Sequence, residues 1–252
     1  MKQTLTAKQA MRYNRQISLE GFDLDKQEIL LNSRVLLIGV GGLGCAAAQY
    51  LVASGVGNII LVDDDKVDSS NLQRQILHGE QDVGLAKCDS AKVSLQALNA
   101  ECDIECIKQR ISENELPKIL DRIDIIVDCS DNLATRNQLN DASVKQGVPL
   151  VSGAAIRMEG QICCFVPSPQ NPCYQCLSTL FAEQQLSCVE AGVMSPLVGI
   201  IGAMQALETI KLLTEFGLVA NNKLMIFDAK NSQWQTFNLR KNTNCKVCHS
   251  AT

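Results

Sequence analysis

The stretch Val35-Leu36-Leu37-Ile38-Gly39-Val40-Gly41-Gly42-Leu43-Gly44 decides the fold, because it joins an apolar run too short for a helix to a glycine turn. Branched apolar residues in an unbroken row read as a strand buried on both faces. The following CAAAQYLVASG, from Cys45, has the small and apolar residues of a packed helix. Glycines at 39, 41 and 44 fit the spacing G-x-G-x-x-G. In that pattern the first glycine permits the tight turn, the second lets backbone N–H groups approach a phosphate, and the third lets helix and strand pack closely. The N-terminus of the helix that follows favours an anion. A second apolar run, residues 58–62, ends at Asp63, Asp64 and Asp65. Asp63 falls roughly 20 residues beyond the turn, where a carboxylate can bond ribose hydroxyls. Together these features point to nucleotide binding over a merely structural turn.

Working outward, the same alternation continues. Helices are expected at about 85–98, 113–121 and 134–146, with strands at 103–108 and 123–128 between them. Such a pattern predicts a Rossmann-like α/β fold with a doubly wound, mostly parallel sheet. Residues 7–31 read as a polar, helix-prone arm carrying Arg12 and Arg15. Residues 66–83 are too irregular for a core element and too long for an idle connection, so they are expected to form a working loop. After Val151 the pattern changes to QICCFV, a cysteine knuckle, a polar stretch to Cys188, a long helix from Pro196 and two final strands at 223–228 and 233–239. These strands make a C-terminal β extension. With no repeat or linker in view, residues 1–252 are expected to form one unit, with an arm (1–32), a nucleotide-binding core (33–165) and a C-terminal part (166–252).

Composition narrows the class. At 46% hydrophobic and 20% charged residues the chain is not a disordered one. A net charge of −4 supplies no basic footprint, so nucleic acid is not an expected partner. The opening MKQTLTAKQAMRYNRQ has no apolar core before a cleavage site and does not read as a secretory signal. Residues 196–213 are apolar but interrupted by Gln205, Glu208 and Lys211, which suits a buried helix better than a bilayer span. A cytoplasmic, non-membrane protein is expected. In that setting twelve cysteines read as metal ligands, nucleophiles or small core residues instead of disulfides.

The turn alone does not choose the nucleotide, and a nicotinamide-dependent oxidoreductase would share it. The surrounding residues lean another way. The loop supplies Asn71, Gln73, Arg74 and Gln75, and Lys87 opens the next helix. Two cations near a phosphate chain serve phosphoryl or nucleotidyl transfer better than hydride transfer, although solvated surface charges are the usual fate of such side chains. Asp131-Asn132 follows the strand ending in Asp128, at the sheet edge where open α/β sheets bind ligands. A carboxylate there can hold Mg²⁺ against ATP phosphates; the pair can equally cap a helix. Cys173-x-x-Cys176 and Cys245-x-x-Cys248 suit a closed tetrahedral site for one structural Zn²⁺, with two disulfides or a redox motif as rivals. His249 adjoins the second pair and is expected to be exposed. Cys188 stands alone in a polar stretch and is a candidate nucleophile, whereas Cys45, Cys88, Cys102, Cys106, Cys129, Cys163 and Cys164 fit the core. A zinc-stabilised scaffold without catalysis would explain the four-cysteine set alone.

Several motifs occur together: RYNRQ, GVGGLG, SNLQRQ, Lys87, DCSDN, VSGAAIRMEGQ, CYQC, CVEAGVMSP and CKVC. In combination, over nearly the whole chain, they resemble the MoeB/ThiF family of adenylyltransferases, relatives of ubiquitin-activating enzymes. VSGAAIRMEGQ and CVEAGVMSP resemble the molybdopterin branch, whereas DDDKV, NSQW and LMIFDAK resemble the thiazole branch. The resemblance implies ATP bound at Gly42, Asp63, Ser70, Asn71, Leu72, Gln73, Arg74, Lys87, Asp131 and Asn132, with Mg²⁺ near Asp131. It also implies a homodimer in which Arg15 reaches the partner subunit's ATP. The implied reaction is adenylation of the C-terminal glycine carboxylate of a ubiquitin-like sulfur-carrier protein, that of the molybdopterin pathway, with the thiazole-pathway carrier as alternative. Arg15, Arg74, Lys87 and Asp131 would act at the phosphates. Cys188 matches the position at which the thiazole-pathway enzyme links covalently to its carrier. The chain ends soon after CKVC, so a separate sulfur donor of cysteine desulfurase or rhodanese type is expected.

Overall fold

In the computed structural model, which describes residues 3–181 and 191–249, the quoted stretch forms β1 (Arg34–Ile38), a turn, and α4 (Gly42–Ala53). One eight-stranded sheet runs through the molecule in the order β3-β2-β1-β4-β5-β6-β7-β8. Its strands β2 (Asn58–Val62), β3 (Asp103–Ile107), β4 (Ile125–Asp128) and β5 (Leu150–Ile156) pair in parallel with β1 or with one another. The remaining strands β6 (Glu159–Phe165), β7 (Lys223–Asp228) and β8 (Gln233–Asn238) add on antiparallel. The fold is α/β, doubly wound and mostly parallel, with a C-terminal antiparallel extension.

Alternation along the strands explains the two layers. Val35, Leu37, Ile59, Leu61, Ile125 and Val127 face α4, α5 (Lys87–Leu98) and the long α9 (Ser195–Thr214). Leu36, Ile38, Ile60, Val62 and Ile126 face the opposite layer, built from α6 (Leu116–Leu120), α7 (Leu133–Gln146) and α8 (Tyr174–Ser178). Because β1 connects towards β2 on one side and pairs with β4 on the other, the strand order reverses beside the glycine turn, which opens a crevice at the strand ends.

The expected boundaries need small adjustments. The 113–121 helix is shorter, because Pro117 stands in its first turn and the preceding residues form turns. The N-terminal arm is three short helices, α1 (Ala7–Arg12), α2 (Asn14–Ile17) and α3 (Asp23–Asn32), and not one polar element. It is anchored by buried Tyr13 and Phe22, by Gln27 donating to the Ser54 carbonyl (2.8 Å) and by Asn99 donating to the Tyr13 hydroxyl (3.0 Å). The β5–β6 hairpin is the feature least visible in the sequence. Gly153 and Gly160 leave room for α9: a Cβ on either would collide with Gln205 or Ile201. Among the described residues α9 is the one helix long and apolar enough to cross a membrane. Here it lies on the sheet and α4, with Leu197, Val198 and Ile201 in the core and Gln205 and Glu208 buried and hydrogen-bonded.

Candidate active site

The crevice is an open cleft of about 630 Å³, with the glycine turn, the ends of β1, β2 and β4, the 66–75 loop and the start of α7 in its walls. At the turn Gly39 has φ +90°, and a Cβ there would press on the Cys129 carbonyl. Gly44 lies so close to the Gly39 carbonyl that no Cβ fits, and Gly42 meets Val198 of α9. The tight turn at Gly39 and the close helix–strand packing at Gly44 read from G-x-G-x-x-G are therefore present, and Gly41 lines the cleft. The first-turn N–H groups of α4 have no intrahelical acceptor and face the cleft with the positive end of the helix dipole.

Asp63 braces that turn. Its Oδ2 accepts from the Val40 N–H (2.7 Å) and its Oδ1 from the Asp65 N–H (2.9 Å). Burial raises its pKa, while Lys87 and these two N–H groups oppose the rise. The adjoining carboxylates are also matched: Asp65 Oδ2 accepts from Lys87 Nζ (2.7 Å), and Asp64 Oδ2 from Arg110 (3.0 Å) at the rim. Lys87 is not a solvated surface charge, since its side chain is only 8% exposed and its ammonium is held at the cleft wall. Arg74 is half-buried and donates to the Ser70 carbonyl (3.1 Å).

Asn71, Arg74, Lys87, Asp63, Asp131 and Asn132 thus converge on one cleft with Gly39, Gly41 and Gly42. Ser70, Leu72 and Gln73 belong to the same loop without lining it; the Ser70 hydroxyl turns back to Asp68 Oδ1 (2.6 Å), and the Gln73 carbonyl accepts from the Ser195 hydroxyl at the start of α9. Asp131 is exposed at the cleft, and Asn132, which also lines it, caps α7 by accepting from the Thr135 N–H (2.9 Å). Arg15 lies exposed on α2 and is not among the residues lining the cleft of its own chain. Cys188 lies outside the described residues.

Two polar residues of this loop are buried, and only the first was read from sequence. Gln75 is buried beside Gly41, with no hydrogen-bond partner for its Oε1 among the described residues. His78, alone in the irregular loop, is buried beneath the turn, with Nε2 3.2 Å from the Val40 carbonyl and Nδ1 2.8 Å from the Ser90 hydroxyl. Burial lowers its pKa. No local pattern reveals His78, because loop geometry recruits it.

The two cysteine pairs meet in one buried cluster. Cys173 and Cys245 Sγ are 3.7 Å apart and Cys176 and Cys248 Sγ 3.5 Å apart. Four sulfurs around a tetrahedral zinc at about 2.3 Å each would lie roughly 3.8 Å from one another, whereas a disulfide needs about 2 Å. The four thiols therefore fit a closed zinc site, and the described cysteines are all unpaired. For Cys245 burial works against ionisation, but N–H groups of Cys248 and Val247 aimed at its sulfur outweigh it and bring the pKa down to about 7. His249 is exposed, as expected. Of the remaining cysteines, Cys45, Cys88, Cys102, Cys129, Cys163 and Cys164 are buried and Cys106 half-buried; burial pushes Cys45 up to about 12, which suits a core thiol and not a nucleophile. A larger cavity, about 870 Å³, lies behind this cluster against the C-terminal end of α7, away from the converging charges.

The cleft thus joins a glycine-turn helix N-terminus, flanking cations and a braced carboxylate, on a mostly parallel sheet that also carries a four-thiol cluster. The chain belongs to the ThiF family, whose sequence profile matches residues 13–247. It is 50% identical to the molybdopterin-synthase adenylyltransferase of Escherichia coli K12, over 97% of this chain and 98% of that protein. It is 47% identical to the molybdopterin-synthase adenylyltransferase of Salmonella typhimurium LT2, with the same coverage. Among solved structures, E. coli MccB with ATP superposes with a TM-score of 0.83 at 25% identity, covering 94% of this chain and 74% of that one.

Proposed function

We propose that this chain is an ATP-dependent adenylyltransferase that activates the C-terminal carboxylate of a ubiquitin-like sulfur-carrier protein, the small subunit of molybdopterin synthase, in molybdenum cofactor biosynthesis. The observation that carries it is the convergence of Arg74, Lys87 and Asp131 on the N-terminus of α4, in a chain half identical to a molybdopterin-synthase adenylyltransferase.

In the reaction a carrier carboxylate oxygen forms a bond to the α-phosphorus of ATP as the bond from that phosphorus to the bridging oxygen breaks, and pyrophosphate leaves. Asp63 holds the ribose, and the α4 N-terminus receives the phosphates. Lys87 and Arg74 offset charge gathering on the departing pyrophosphate. Mg²⁺ held near Asp131 would neutralise phosphate charge. No side-chain nucleophile is needed for this step, so Cys188 is not essential to it. Arg15 completes the site from the partner subunit of a homodimer, which accounts for its exposed position on α2. A separate donor of cysteine desulfurase or rhodanese type supplies the sulfur, in keeping with described cysteines that are all buried or half-buried. The protein works in the cytoplasm as one unit, its arm (1–32) and C-terminal part (166–252) serving the nucleotide-binding core (33–165).

The test is ATP–pyrophosphate exchange with purified molybdopterin and thiazole carriers at equal concentration. Exchange driven by the molybdopterin carrier and retained by Cys188→Ala is expected. A preference for the thiazole carrier together with a Cys188-dependent covalent adduct would move the protein to the thiazole pathway.

A further inference from the structure

Asp128 and Arg136 form a buried charged pair that the adenylation chemistry does not itself require. The Arg136 guanidinium is almost entirely buried and Asp128 fully so, with Nη1 and Oδ2 3.9 Å apart. A pair set so deep does not stabilise a fold more than apolar residues of the same volume would, and its value lies elsewhere. The hydrogen bonds show where. Arg136 Nη2 donates to the Ser130 carbonyl (2.6 Å) and the Gly153 carbonyl (2.8 Å), and Nη1 to the Ser152 hydroxyl (3.2 Å). Asp128 Oδ1 accepts from the Ser130 N–H (3.0 Å) and hydroxyl (2.6 Å), and Oδ2 from the Ser152 hydroxyl (2.9 Å).

Both polar groups of the Ser130 backbone are thereby fixed by one buried network. The Ser130 carbonyl belongs to the peptide that continues into Asp131, so its orientation sets the direction in which Asp131 and Asn132 enter the cleft. Arg136 is itself held from behind. Its guanidinium carbon lies 5.9 Å from the centre of the Tyr174 ring, and the Tyr174 N–H donates to Asn140 Oδ1 (2.7 Å), one turn along α7 from Arg136. Tyr174 stands between Cys173 and Cys176, so the support reaches back to the four-thiol cluster.

We infer that Arg136 is a positioning residue for adenylation, one that touches no nucleotide but sets the Ser130–Asp131 peptide and hence the placement of Asp131 at the phosphates. This rests on the adenylyltransferase reading and adds to it a residue that the sequence motifs did not single out. Arg136→Lys keeps a charge opposite Asp128 but cannot reproduce the planar fork. It is expected to lower kcat of carrier-dependent exchange about tenfold to a hundredfold, as for groups that orient a metal-site ligand, with KM for ATP changed less than about threefold. The double variant Arg136→Met with Asp128→Asn removes both charges; it should recover the melting temperature without recovering kcat. Hydrogen exchange supplies a readout independent of catalysis: amides 129–133 should exchange faster in both variants, with β1 unchanged. Unchanged exchange at 129–133 overturns the positioning role even if the adenylation reading stands. Faster exchange with normal kcat overturns its bearing on the reaction. A wild-type protein that drives no exchange with any carrier overturns the functional reading, while the amide data still judge the network.

Discussion

Replacing Lys87 by Met separates the chemistry of the cleft from its folding. Lys87 Nζ lies 2.7 Å from Asp65 Oδ2, with the lysine side chain 8% exposed and the aspartate side chain 64% exposed. Removing the cation lets Asp65 regain water; Asp63 loses a nearby positive charge but keeps its two bonds from the Val40 and Asp65 N–H groups. Met fills nearly the same volume, so the folding cost should stay below about 1.5 kcal/mol. At the transition state the balance differs, because the ammonium is fixed at the wall of a cleft that receives a triphosphate, without reorganisation. Loss of one such donor costs roughly a hundredfold to a thousandfold in kcat, about 2.7–4 kcal/mol. Because ATP is already anionic when it binds, KM should rise too, but the fall in kcat is the diagnostic quantity. The assay is carrier-dependent pyrophosphate exchange beside a thermal melt of the same preparation. Exchange within about threefold of wild type, with the fold intact, would refute the assignment of Lys87.

Metal analysis should find about one zinc per chain, and Cys176→Ser should reduce that content and expose residues 240–249 to protease; full stability in a metal-free protein would count against the site. An Arg15→Ala chain mixed with a Lys87→Met chain should recover part of the lost activity if one subunit completes the other's site, since some heterodimers then hold one intact cleft; stable but inactive heterodimers would place Arg15 in its own subunit or outside the reaction. His78 has a folded pKa below its ordinary 6.5 because of burial. Its contribution to stability is therefore complete above that ordinary value, where both states are neutral, and is lost as pH falls through the depressed folded value, because the unfolded chain binds a proton first. The melting temperature of wild type should fall more between about pH 7 and pH 5 than that of His78→Gln, and parallel curves would rule this out.

Most of the parallel half of the fold was legible because β1, β2 and β4 are short, largely apolar runs and their turns carry glycine or acidic punctuation. Val35–Ile38 with Gly39, Gly41 and Gly44 gave strand, turn and helix within a residue or so. The β5–β6 hairpin was not legible, since Ser152, Gly153 and Gly160 lack the alternation of a half-buried strand; the two glycines are set by the approach of α9, a contact from more than forty residues away, and Ser152 by Asp128 and Arg136. The site divides similarly. Residues contributed by a turn or a helix start, such as Asp63 and Lys87, stand in recognisable local contexts. Arg136 looks like a polar residue on the exposed face of a polar helix, and only the neighbours brought in by β5 and α8 show it to be buried. Arg15 is a different case: its proposed role belongs to an assembly of two chains, and no reading of one chain's packing can reveal it.

The paired cysteine knuckles also bear on the order in which the chain can be made. Cys173 and Cys245 lie 72 residues apart, and α9, β7 and β8 all fall between the two pairs. A cross-link closing so long a loop withdraws about 4 kcal/mol of chain entropy from the unfolded state, on the scale known for disulfides. It also cannot close until the second pair has left the ribosome. The glycine turn and its parallel strands emerge first and can collapse on their own hydrophobic contacts, α9 then adds to the same core, and the tail bearing Cys245 and Cys248 is the last piece to be fastened. With zinc as the fastener, metal supply would govern the closing of the tail and not the assembly of the nucleotide-facing half.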